Sequence, residues 1–447
     1  MDSMPRASDR SLKAIQRAAP ILDDIAKRTK LLDTLQWPKR VEEQFFAESA
    51  RKLPVVAYAV DRDAAQTAIR DLRALIKELD RQDPVQQWLA RIADSYADGN
   101  RLLLAAGTRE FHAISTEVYG GPRSLFDADT TNLDLAEHLK KRMSGEREEA
   151  PPSPSAPDET PRRGASNARA PHNDDDEPLD ARAFARALEE QANAMNMPIK
   201  VVVDDDLCSR VVAGRERVRV REGATFRRSD VLGVFVHEIE THALTAQNGA
   251  AQPHLPFLAK GGPRSTRTQE GLAVFAEFDV RTLTVPRMRG ISLMVRMVAA
   301  AEDGASFLDL YRMRREQGLS ERNAFSSAMR VCRGGLVEGG APFTKDASYL
   351  AGFTEVYSFL QLAARGGARD IALLLIAGRI ALEDLSVLDE LRRRDILKPP
   401  AHVPRWLAAW DRLLPVFAFT SFLGEINLRQ VARKHRDILA RIEDDVS

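Results

Sequence analysis

Two cysteines, Cys208 and Cys332, are all that 447 residues contain. That scarcity excludes a disulfide framework and a cysteine-rich metal cage, and it fits a reducing compartment, with the cytoplasm as the expected location. Net charge is missing as well: Lys plus Arg and Asp plus Glu both number 65. No global field therefore draws the chain to nucleic acid or to an anionic membrane, and neither is an expected partner. No helix-turn-helix or basic DNA-reading segment is present, and no internal repeat. Long apolar runs are absent too. The opening "MDSMPRASDRSLKAIQRAAPILDDIAKRTK" is amphipathic and charged, without the uninterrupted apolar core of a secretory signal. The most apolar late stretch, Leu413 to Leu423, is far shorter than the roughly 20 residues a bilayer span needs. It contains Pro415 and reads as a buried helix pair.

The length suits two or three domains, or one large one with an insertion. Residues 144–179, "SGEREEAPPSPSAPDETPRRGASNARAPHNDDDEPL", are dense in Pro, Ser and charge and nearly devoid of aliphatic side chains. Such a segment cannot bury enough apolar surface to offset its ordering entropy and is expected to be a disordered linker or insertion, its acidic run Asp174 to Glu177 being solvated linker charge. It separates a helical region, 1–143, from residues 180–447, on which that region is expected to pack. Before it, "DAAQTAIRDLRALIKELDRQ" and "PVQQWLARIADSYADGNRLLLAAG" carry the period of amphipathic helices. After it, "IKVVVDDDL", "SRVVAG" and "RVRVREG" read as the strands of a small sheet. Arg215, Arg217, Arg219 and Arg221 share one strand face, simplest as a solvated face and alternatively a basic face that guides substrate. Beyond residue 230 nearly everything is helix-periodic. The fold class is α+β, mainly helical.

The chemistry gathers in "VFVHEIETHALTAQNG". Ser229 and Asp230 can cap its helix and Asn248-Gly249 can stop it. His237 and His242 lie five positions apart, which in a regular α-helix rotates them by roughly 140° and points the imidazoles away from each other. A π-bulge would bring them back to one side, and such bulges are frequent at functional sites. The spacing thus predicts a distorted helix if the pair binds metal; otherwise one histidine is bonded in the core and the other lies at the surface. Glu238 occupies the place of the general base in H-E-x-x-H enzymes. Glu240 is expected to face solvent.

A pair of histidines needs a third ligand. In "STRTQEGLAVFAEFDVRTL", Thr266 or Thr268 can cap a helix beginning at Gln269 and Glu270. Glu270 and Glu277 are seven apart and share a face, so either could complete the His₂Glu set typical of hydrolytic zinc. Together "HEIETH" and "QEGLAVF" resemble the bacterial proteins named for their QEGLA motif and the related eukaryotic microtubule-associated tyrosine carboxypeptidases, which are similar to gluzincins but use H-E-x-x-x-H. The stretches "GTREFHAISTEVYGGP" (107–122) and "RGGLVEGGAPFTKDASYLAGFTEVY" (333–357) also read as family-like. The resemblance implies a zincin-like catalytic domain over 180–447, Zn²⁺ as cofactor, His237, His242 and Glu270 as its ligands, and Glu238 as catalytic base acting through metal-activated water. Glu277 would then orient one of the ligand histidines. The implied activity is that of a zinc peptidase, a carboxypeptidase removing C-terminal residues from a peptide or protein, with the eukaryotic relatives implying a preference for aromatic ones. The alternative, to which the QEGLA proteins' family name alludes, is a non-catalytic metal-binding regulatory protein.

A carboxypeptidase also needs oxyanion donors and a cation for the terminal carboxylate. Arg333, Lys345 and Tyr349 are the substrate-binding candidates, brought inward by turns at Gly334-Gly335 and Gly339-Gly340. His112 and His254 read as structural or surface histidines, and Phe353 and Phe359 as core.

Overall fold

Where apolar residues recur at helical intervals, the chain is helical. The segment Arg62–Glu78 buries Ala65, Ala68, Ile69, Leu72 and Leu75 on one stripe, and its N-terminus is capped by the Asp61 carboxylate, which accepts from the Ala64 amide. Asp83 does the same for Pro84–Leu104, with Pro84 in the first turn, where its missing N–H costs nothing. A computed structural model describes residues 7–143, 177–205, 207 and 209–425. The architecture is mainly helical with a small sheet.

The three strands at 200–221 form that sheet. Lys200–Asp204 runs parallel to Arg217–Arg221, which pairs antiparallel with Val211–Ala213. Val218 and Val220 are fully buried, whereas the arginines between and beside them lie on the open face. That is the pattern a one-sided sheet imposes. A second pair joins Pro178–Leu179 to Phe226–Arg227. The expected insertion therefore ends earlier than residue 179: Leu179 is buried and the Arg228 amide donates to the Glu177 carbonyl. The remainder of that segment, 144–176, lies outside the described residues, as does Cys208.

Among the described residues three buried clusters hold the fold together, and each draws on residues from both sides of 144–176. The largest joins Ile15, Leu22, Leu72, Trp88 and Leu89 to Phe235, Ile239, Phe257 and Leu388. A second sets Trp37 and Phe45 against Phe307 and Phe325 as tilted and edge-on aromatic pairs. The smallest surrounds Phe343 with Phe111 and Tyr119. His112 belongs to this side of the fold, its Nδ1–H donating to the Pro342 carbonyl at 2.8 Å. Phe353 and Phe359 are partly buried against the core.

The Leu413 to Leu423 stretch is one helix, Leu413–Glu425, not a buried pair. Pro415 falls in its first turn, where proline is tolerated, and Leu414, Val416 and Phe419 are exposed. Among the described residues no helix is long and apolar enough to cross a membrane.

Two glycines decide where the helix Thr266–Asp279 sits. A Cβ on Gly271 would come within 2.2 Å of the Gly352 carbonyl oxygen, and one on Gly352 within 2.1 Å of that of Arg267. Only glycine permits this backbone-to-backbone approach of Thr266–Asp279 to Ser348–Arg365. The contact carries Glu270 to Lys345 and Tyr349.

Candidate metal centre

The helix bearing the histidines changes pitch in the middle. Asp230–Val234 is α-helical, Phe235–Ala243 is a π-helix, and Leu244–Ala250 is α-helical again. The distortion expected from the five-residue spacing is present. Within it the Thr241 hydroxyl donates to the Val236 carbonyl five residues back, at 2.9 Å. Thr245 donates to the carbonyl of Thr241 at 2.7 Å. The two imidazole rings consequently lie 5.1 Å apart, nearly perpendicular.

Glu270 approaches both. Its Oε2 is 3.8 Å from His237 Nε2 and 3.5 Å from His242 Nε2, and one ligand atom from each of the three residues lies within 4.8 Å of the others. His237 and Glu270 are buried and His242 partly so. Lys345 Nζ donates to Glu270 Oε1 at 2.8 Å, but Oε2 is buried without a hydrogen-bond partner among the described residues. A buried carboxylate oxygen in that condition is costly unless something else satisfies it. A metal ion between Oε2 and the two Nε2 atoms would, so this cluster can hold one. Burial opposes ionisation of Glu270, yet Lys345 and the histidines hold its carboxyl well below the usual range, so it is charged as a ligand must be.

Glu277 stands behind His237. The His237 Nδ1–H donates to Glu277 Oε1 at 2.7 Å, leaving Nε2 as the free nitrogen. Arg287 grips the same carboxylate, Nε to Oε2 at 3.0 Å and Nη2 to Oε1 at 2.9 Å. Burial raises the Glu277 pKa, but His237 and Arg287 outweigh it and hold the group at about 2. A permanently ionised carboxylate fixes both the tautomer and the ring orientation of His237.

Glu238 is partly exposed and accepts no hydrogen bond from the described residues. Glu240 does not face solvent as its position suggests; it is 2 % exposed. Arg405 Nε bonds to its two oxygens at 3.0 and 2.9 Å, and the guanidinium lies 5.3 Å from the Phe235 ring. In the wide π-turn Glu240 points inward, where an arginine from a distant segment neutralises it. Arg405→Ala is therefore expected to destabilise the fold by about 2 kcal/mol, less than the ~3–5 for breaking a fully buried pair because the arginine is itself half-exposed. Denaturant unfolding reads the loss. If Glu240→Gln in the same chain gave back none of it, the stranded carboxylate would not be the cause.

Two helix ends also differ from expectation. The stop at Asn248-Gly249 is not one, since the helix continues to Ala250. Gly249 is needed because a Cβ there would lie 2.4 Å from the Leu258 backbone, while buried Asn248 donates to the Ile376 and His402 carbonyls and accepts from the His402 amide. The second helix starts at Thr266, and Thr268 accepts from the Leu382 amide instead of capping it.

Of the substrate-binding candidates, Lys345 and Tyr349 are brought to Glu270, the ammonium 5.1 Å from the Tyr349 ring centre. Burial, reinforced by the Glu270 charge, pushes the Tyr349 phenol up to about 12, so it stays protonated. Arg333 is buried, its guanidinium over the Phe343 ring at 5.6 Å. Sequence reasoning misses Arg287 and Arg405, for which no spacing signal exists, and Arg379. The last donates from Nη2 to the His242 carbonyl at 3.1 Å.

Residues 43–425 match the protein family described as microtubule-associated tyrosine carboxypeptidase. No curated protein matches the chain.

Proposed function

Because the chain belongs to the microtubule-associated tyrosine carboxypeptidase family, we propose that it is a zinc-dependent carboxypeptidase acting on the C-terminus of a peptide or protein. The observation that carries the metal half of this reading is the buried, unpartnered Glu270 Oε2 facing both histidines. Two histidines and one carboxylate make the ligand set of hydrolytic zinc, and His237, His242 and Glu270 would hold it. When bound, zinc supplies Lewis acidity toward the scissile carbonyl and lowers the pKa of water.

The chain's own residues do the remaining work. Glu238 takes a proton from water as the oxygen adds to the carbonyl carbon, and returns it to the amine as the C–N bond breaks. The Tyr349 phenol, protonated at neutral pH, donates toward the developing oxyanion. Glu277 and Arg287 keep His237 from turning. The scarcity of cysteine suits work in the cytoplasm.

The purified protein is expected to contain about one zinc per chain and to shorten a peptide ending in free tyrosine by one residue, read by mass spectrometry. A chelator should stop the reaction and zinc restore it. Zinc without any peptide shortening would leave a metal-binding regulatory protein in place of an enzyme. Failure to take up metal would sink both.

A further inference from the structure

A carboxypeptidase must distinguish a chain end from a mid-chain amide, and the difference is one negative charge. The recognising group has to be a cation near the site whose charge the fold has not already matched. Most cations around the metal cluster fail that requirement. Lys345 is bonded to Glu270, Arg287 to Glu277, Arg330 to Asp346 through two hydrogen bonds of 2.7 and 2.8 Å, and Arg405 to Glu240.

Arg379 meets the requirement. Among the described residues it forms no ion pair: its Nη2 donates to the His242 carbonyl, a neutral acceptor, and its Nε is buried without a partner. The backbone beneath it is fixed. The Arg379 amide donates to the Leu258 carbonyl at 2.8 Å, and a Cβ on Gly261 would sit 2.8 Å from the Arg379 Cβ. Arg379 also lines an open basin walled by Gly214, Arg215, Arg217, Ala246 and Lys260. None of the three metal-cluster residues lines that basin; Arg379 both lines it and touches a ligand histidine. Arg379 is itself partly exposed, so the residue is open to solutes from that basin.

We infer that Arg379 binds the α-carboxylate of the substrate's terminal residue and so makes the enzyme an exopeptidase, an inference that rests on the carboxypeptidase reading above. Arginine suits the task because its planar fork can give a carboxylate two parallel hydrogen bonds while another N–H stays on His242. Its Nε is buried away from water. A poorly hydrated guanidinium of this kind gains more from an incoming anion than a solvated one would.

The test uses zinc-loaded protein carrying Glu238→Gln, so that bound peptide is not consumed, and two probes: a heptapeptide ending in free tyrosine and the same peptide as its C-terminal amide. Calorimetry gives the ratio of the two affinities. Arg379 intact should favour the acid by about 10- to 100-fold, the usual worth of a hydrogen bond to a charged group. Arg379→Ala should bring the ratio near one, and Arg379→Lys should keep part of it. A purely structural role, acting through the His242 carbonyl, would weaken both peptides alike and leave the ratio unmoved, and that outcome overturns the inference. Zinc content and thermal unfolding of each variant identify any that has lost the site altogether, and Arg379→Lys then carries the comparison. If the protein with Arg379 intact binds acid and amide equally, and the wild-type enzyme cleaves both, carboxypeptidase action falls along with the inference. If discrimination persists in Arg379→Ala, only the assignment of Arg379 falls.

Discussion

Replacing Glu238 by glutamine is expected to lower peptide hydrolysis by about 10²- to 10⁴-fold, the usual contribution of a positioned general base, with zinc content unchanged. The two halves of that result come from separate features. Glu238 is not among the residues whose ligand atoms converge, so its loss leaves the metal cluster intact. It is also partly exposed and takes no hydrogen bond from the described residues, so its carboxylate is open to water and substrate. Glutamine preserves the shape and removes the basicity. By contrast, His237→Ala and His242→Ala should lose metal and activity together. Near-normal cleavage by Glu238→Gln would remove Glu238 from the mechanism; zinc lost in step with activity would make it a ligand.

Glu270 and Glu277 should separate sharply when each is removed. Seven residues of one helix place them about 10 Å apart along its axis, so they cannot serve the same atom. Glu277→Ala should weaken zinc binding by about 10- to 100-fold, the range for groups that orient a ligand histidine. His237 would keep its Nε2 but lose the partner that fixes its tautomer, and Arg287, 40 % exposed along its side chain, would turn to solvent. Glu270→Ala should lose affinity well beyond that range. It also strands Lys345, only 7 % exposed along its side chain, so Glu270→Gln, which retains an acceptor for the ammonium, guards against simple unfolding. Competition with a zinc chelator ranks the variants. Should Glu277→Ala release metal first while both Glu270 variants hold it, the assignments exchange.

Several of these positions are legible in the amino-acid sequence. A five-residue histidine spacing demands a widened turn wherever both rings serve one centre, and Phe235–Ala243 has it. The seven-residue interval puts Glu270 and Glu277 on one face, and the short alternating runs at 200–221 form the sheet. The misreadings share a cause: they concern residues whose environment is set by distant chain. Local spacing assigns Glu240 to solvent, but Arg405 meets it from 165 positions away. Gly249 has the look of a helix terminator, yet the Leu258 backbone is what requires it. Nothing local reveals that Lys345, a substrate-binding candidate, bonds to Glu270. Arg379 carries no signal at all in its own stretch of sequence.

The widened turn also resets the phase of everything after it. One added residue rotates each later side chain by about 100° relative to an uninterrupted α-helix, and Asn248, six positions past His242, is among those carried round. It is this rotated asparagine that clasps the Ile376 and His402 backbones. The loop bearing Arg379 and the segment leading to Arg405 both lie within or beside that clasp. Removing a single residue between His237 and His242 would thus do more than misalign two imidazoles. It would put the helix out of step with the 376–405 segment, so the chain length between the two histidines also serves as the registration mark for a distant part of the fold.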